Sequence, residues 1–209
     1  MLRIIFLTIF LVTVTFSNFV EAADKPKVVV MDLGTFDGAF TNELNTENVG
    51  AMVSDYIIQA LTDDGRFAVI DKELFEKQLE AQNLKISGVL SSKKACEIAK
   101  VIGGIDYIIC GNANGIGSNP GIFDVVQSGG KFHSIKTHLM IRLMEVKKGQ
   151  VVASASGEGV SKSSEVKAGA KTISIKIGTV NVPQECVHNA TKKAALDAVA
   201  KLTKNFFNE

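Results

Sequence analysis

The chain has 209 residues, 46% of them hydrophobic, and a formal net charge of +1. That is ample apolar material for one domain with its own core, or one domain carrying an insertion. The near balance of charge speaks against a nucleic-acid partner, whose binders carry a basic excess or stripe.

At the N-terminus, Met1-Leu2-Arg3 supplies a positive start and residues 4–16 an apolar stretch. Val20-Glu21-Ala22 then places small residues where a signal peptidase cuts, so residues 1–22 read as an export signal cleaved after Ala22. The alternative is an uncleaved anchor. A spanning helix needs about 20 mostly apolar residues, and Thr13, Thr15, Ser17 and Asn18 make the end of this run polar. No Cys follows near the cleavage point, so the usual bacterial lipid attachment is not expected.

Residues 27–33 (KVVVMDL) form a short Val-rich run that suits a strand buried on both faces. Residues 34–45 read as a loop. Over 47–62, Val49, Met52, Val53, Ile57 and Leu61 recur at helical spacing, and Gly65 is placed to cap that helix in the left-handed conformation. Residues 67–71 read as a second strand, and 72–82 as a helix with Leu74, Phe75 and Leu79 inward. Ser91 or Ser92 caps a further helix through Ile102, which Gly103-Gly104 stops, and 106–111 is a third strand. Alternation of this kind argues for an α/β layer structure.

The second half changes character. Residues 137–146 alternate, with Leu139, Ile141 and Leu143 on one face and His138 and Arg142 toward the other. Lys147-Lys148-Gly149-Gln150 is a turn and 151–157 returns, which makes a β-hairpin. Residues 171–182 alternate again through Ile173, Ile175 and Ile177, with a phase shift at 178–180 that reads as a bulge. A long amphipathic helix follows over 184–206, with Val187, Ala190, Ala194, Ala198 and Leu202 on a single stripe.

Several segments invite a catalytic reading and fail it. Gly111-Asn112-Ala113-Asn114-Gly115-Ile116-Gly117 follows a strand, but Ser118-Asn119-Pro120-Gly121 comes next where a phosphate loop must open into a helix. Ser91-Ser92-Lys93-Lys94 matches S-x-x-K, yet the partner motifs S-D-N and K-T-G do not occur, and helix capping accounts for both serines. His133, His138 and His188 are the three histidines. The first two fall on opposite faces of one strand and cannot share a metal there, and His188 is expected at the surface of the last helix. Asp63 and Asp64 sit together at a helix end, where paired carboxylates are usually solvated. Cys96, Cys110 and Cys186 fit no zinc spacing, and Cys110 reads as a buried small hydrophobe. No catalytic set, cofactor or metal site is expected.

Four segments taken in order resemble the curli-secretion channel (CsgG) family of bacterial envelope proteins. They are VVVMDL at 28–33, ALTDDGRFAVIDKELFEKQLEAQNLKISG at 60–88, AKVIGGIDYIICG at 99–111 and LMEVKKGQVVASASGEG at 143–159, with the long final helix after them. The resemblance implies an α/β fold over 23–209: a mixed β-sheet flanked by helices, two β-hairpin or loop insertions at about 112–137 and 159–183, and a long C-terminal helix. It also implies a non-enzymatic, homo-oligomeric secretion or assembly component with an envelope or secreted protein as partner and possible contact with the outer membrane. The expected location is the periplasmic space or the outer membrane. In the family's channel type each subunit lends two hairpins to a shared barrel, and a loop narrows the pore. By that likeness, Phe36, Phe40 and Asn42 are candidates for the constriction, and Ile173, Ile175 and Ile177 for a membrane-facing strand. This sequence departs from the type: the lipid-attachment Cys is absent, and both hairpin regions look short for the 9–11 residues that a membrane strand needs. The alternative that these departures leave open is a soluble periplasmic interaction module.

Overall fold

Val28, Val29 and Val30 are at most 1% exposed. They form strand β1 (Lys27–Val30), which lies between two parallel neighbours, β2 (Ala68–Val69) and β3 (Tyr107–Asn112). A continuous apolar run is what a strand with helices on both faces requires. This is a computed structural model, and it describes residues 25–31, 46–81, 92–112, 123–128, 131–165, 174–177 and 180–208.

The sheet continues antiparallel. Strand β5 (Lys131–Glu145) gives one edge to two strands in succession: β3 pairs along residues 140–145 and β4 (Phe123–Ser128) along 131–137. Its other edge pairs along most of its length with β6 (Gln150–Lys162), across a turn where Gly149 takes the left-handed φ of 67°. Thus, among the described residues, β6 is an edge strand. Register shifts interrupt β4/β5 at Val126/Gln127 and β5/β6 at Leu143/Met144.

Helices cover both faces. On one, α1 (Thr46–Asp64) and α4 (Gln184–Phe207) bury Val53, Ile57, Leu61, Val187, Val199 and Leu202 against Ile135, Leu139, Ile141 and Leu143. On the other, α2 (Lys72–Ala81) and α3 (Ser92–Ile102) bury Phe75, Ala95, Cys96 and Ala99 against Val29, Ile108, Cys110 and Met144. This is a mixed α/β sheet with flanking helices, as expected. The stop signals hold: the Gly65 and Gly103 amides donate to the Leu61 and Ala99 carbonyls at φ 72° and 75°.

The stripe read along the last helix is the one buried. Its small residues have a geometric purpose. A Cβ on Gly157 would collide with the Ala194 carbonyl and the Ala198 amide, and one on Gly159 with the Ala190 carbonyl. The backbones of α4 and β6 therefore touch, which only Gly in the strand and Ala in the helix permit.

Two expectations are corrected. The alternation over 171–182 is not one bulged strand. Among the described residues it is two strands, β7 (Ser174–Ile177) and β8 (Val180–Pro183), paired antiparallel with Ile177 opposite Val180. A phase slip in a period-2 pattern marks a chain reversal as well as a bulge, and here it marks the reversal. Leu74 is 52% exposed, because Asp71 caps α2 through the amides of Glu73 and Leu74 and aims Phe75 at the core; the Leu79 side chain lies outside the described residues. His138 faces away from Leu139, as expected, and is only 5% exposed there.

Candidate functional site: the outer edge of β6

Successive residues of β6 alternate between facing α4 and facing away. Ala153, Ala155, Gly157, Gly159 and Ser161 are buried, and the even-numbered residues stand on the opposite face with their backbone groups along the outer edge. An edge strand of 13 residues leaves a row of unpaired amides and carbonyls. In this chain α4 supplies the partners. Lys193 Nζ donates to the Val160 carbonyl at 2.9 Å, and Asp197 Oδ2 accepts from the Glu158 amide at 3.0 Å. Lys201 Nζ donates to the Ser156 carbonyl at 3.2 Å, and Asn205 Nδ2 to the Ser154 carbonyl at 3.1 Å.

The four helix positions are four apart and the four strand positions two apart. Four helical residues rise about 6.0 Å and two strand residues about 6.6 Å, so the two series stay in step. Lys201 also pairs with Asp197 at 2.7 Å. Burial alone would raise the Asp197 pKa, but the Lys201 ammonium and the Glu158 amide outweigh it and hold the carboxyl below its usual range. An open cleft of about 390 Å³ runs along this edge, lined by Met140, Ser154, Ala155, Ser156, Lys201 and Asn205. On the far face Glu158 pairs with Lys136 at 2.8 Å and lies 3.3 Å from His138 Nδ1.

A second polar group joins distant parts of the chain. Arg66 binds Asp64 in bidentate fashion, both bonds 2.8 Å, and donates to Thr203 Oγ1 at 2.6 Å. Its guanidinium also lies 5.2 Å from the Phe207 ring centroid. The hydrogen bond from Arg66 holds the Asp64 carboxyl below the usual carboxylate range. The expectation of a solvated Asp64 is thereby corrected, since its side chain is 16% exposed. Nothing local in the sequence announces a clamp that joins Asp64 to Thr203, 139 positions apart.

The sequence candidates fall as follows. Phe36, Phe40, Asn42 and Ile173 lie outside the described residues. Ile175 pairs with Val182 in the β7–β8 hairpin, and its side chain is not described. Ile177 is 9% exposed and packs into the core cluster with Val180 and Val182. Ser92 opens α3. His188 is half-buried rather than superficial, held by Tyr56 Oη at 3.1 Å and Gln184 Nε2 at 3.3 Å, because α1 packs over that turn of α4. The three cysteines are buried and free of disulfides, and burial pushes the Cys96 thiol up. Among the described residues no three of His, Cys, Asp or Glu could hold a metal ion, and no helix is long and apolar enough to cross a membrane.

The profile of the curli production assembly/transport component CsgG family matches residues 13–209. This chain belongs to that family. The match takes in the strand, helix and hairpin segments described above and the whole of α4. No curated protein sequence matches the chain. Among solved structures, the LpoB C-terminal domain from Escherichia coli is 17% identical, with 70% of this chain and 91% of that one covered and a TM-score of 0.45. Lipoprotein GNA1162 from Neisseria meningitidis is 13% identical, covering 69% and 88%, with a TM-score of 0.45. The PelC dodecamer from Paraburkholderia phytofirmans is 14% identical, covering 87% and 86%, with a TM-score of 0.41.

Proposed function

We propose that this family member is a non-enzymatic, exported envelope protein. It acts as an assembly or secretion component through protein contacts, as a homo-oligomer that needs no membrane of its own to form. Membership of the curli production assembly/transport family supports the assembly role. The β7–β8 hairpin supports the choice against a pore: among the described residues its arms are four residues each, and its apolar residues Ile177, Val180 and Val182 pack into the chain's own core. A membrane strand needs about 9–11 residues and an apolar face turned to lipid.

The competing reading keeps the family's channel. In it Phe36, Phe40 and Asn42 narrow a pore, and Ile173, Ile175 and Ile177 face lipid once the hairpin is drawn off the core. The two readings part on a vesicle experiment. Purified protein is mixed with phosphatidylethanolamine–phosphatidylglycerol vesicles and centrifuged through a density gradient, and the bound fraction is washed with carbonate. The scaffold reading expects the protein to stay at the bottom or to wash off. Carbonate-resistant protein in the floating fraction would establish the channel reading instead.

A further inference from the structure

The four α4 side chains on the β6 edge engage backbone groups that would otherwise be open to another strand. We propose that Lys193, Asp197, Lys201 and Asn205 form a guard that keeps β6 from pairing, edge to edge, with β6 of a second copy of this chain. The inference does not depend on how the protein assembles in the envelope.

Three observations carry it. First, β6 is long and regular along this stretch, the kind of edge that templates strand addition when nothing covers it. Second, the α4 side-chain bonds to the β6 backbone fall on even-numbered residues, from Ser154 to Val160 for these four and at Lys162, whose carbonyl accepts from Cys186 Sγ at 3.5 Å, so among the described residues they follow the outward-pointing series. Third, the edge is self-complementary. Laid antiparallel about Ser156, two copies set Ser154 of each against Glu158 of the other, and all the facing residues carry outward amides and carbonyls. One surface used twice is what closes a twofold dimer. The guard stands because α4 touches β6 at Gly157 and Gly159. With that approach the helix flank lies within side-chain reach of the edge.

The guard is tested by replacing all four residues with Ala. Ala is the best helix former and all four side chains lie on a polar flank, so α4 should persist. Lys192→Ala, an exposed site off the guard, is the control with the same net loss of one positive charge. The expected result is concentration-dependent growth in mass above the wild-type value, by light scattering, in the quadruple variant and not in the control. Adding Ser156→Pro, which removes one outward amide and no bond to β5, should restore the wild-type mass. Amide exchange gives an independent readout. In Asp197→Ala the Glu158 amide should exchange on the order of tenfold faster, while Ala155 and Gly157, whose amides face β5, keep their protection. Wild-type mass in the quadruple variant would overturn the proposal. So would growth that survives Ser156→Pro, or a Glu158 amide that exchanges no faster.

Discussion

Arg66 shows how much one side chain can organise. It closes the end of α1 through Asp64, reaches the last turns of α4 through Thr203, and lies over Phe207. The pH dependence follows from the lowered Asp64 pKa. A carboxyl whose pKa is lower folded than unfolded adds stability that is fully present above the unfolded value, about 3.9, and is lost as pH falls through the folded value. Asp64→Asn is therefore expected to cost about 1–2 kcal/mol at neutral pH and to flatten the fall in stability below about pH 4. Urea midpoints at pH 7 and pH 3 check both parts. At Gly157 the prediction is steric. Gly157→Ala puts a methyl group into the α4 backbone, and overpacking of that kind costs roughly 1–3 kcal/mol. Because the obstruction is backbone, which cannot rotate away, the thermal midpoint should show a loss at the upper end.

At the scale of elements, α4 is the piece on which the architecture closes. It packs on α1, β5 and β6 at once, and its C-terminal Phe206 stacks among Phe67, Tyr107 and Phe207 with centroids 4.8–5.6 Å apart. Phe206→Ala is expected to destabilise the fold by about 2 kcal/mol, below the range for a fully buried Phe because this ring is half-buried. A shift of the denaturant midpoint at constant m-value would confirm it.

The elements also show what their sequence discloses. The run at Val28–Val30, the alternation of Leu139, Ile141 and Leu143, and the stripe from Val187 to Leu202 are all legible, because burial imposes a period on apolar residues. The reversal between Ile177 and Val180 was not legible as such, since a bulge and a turn shift the phase alike. The edge contacts of Lys193, Asp197, Lys201 and Asn205 leave no apolar signal at all. Their regularity appears only when the strand lies beside the helix. Of the residues put forward for a site, Ile177 is the one whose side chain is described, and it lies in the core.

At the scale of the whole molecule, the chain is a layered α/β body of the curli production assembly/transport family. Among the described residues both sheet faces are covered, α4 side chains occupy the β6 edge, and Ile177, Val180 and Val182 pack into the core. The most direct test is the mass of the purified protein by light scattering after size-exclusion, run in plain buffer and again in a mild detergent. A scaffold that forms without a membrane is expected to show one defined oligomeric mass in plain buffer, the same once bound detergent is subtracted. A protein that precipitates or stays heterogeneous without detergent, and forms a defined ring only in its presence, would contradict the proposed scaffold role and establish a membrane pore.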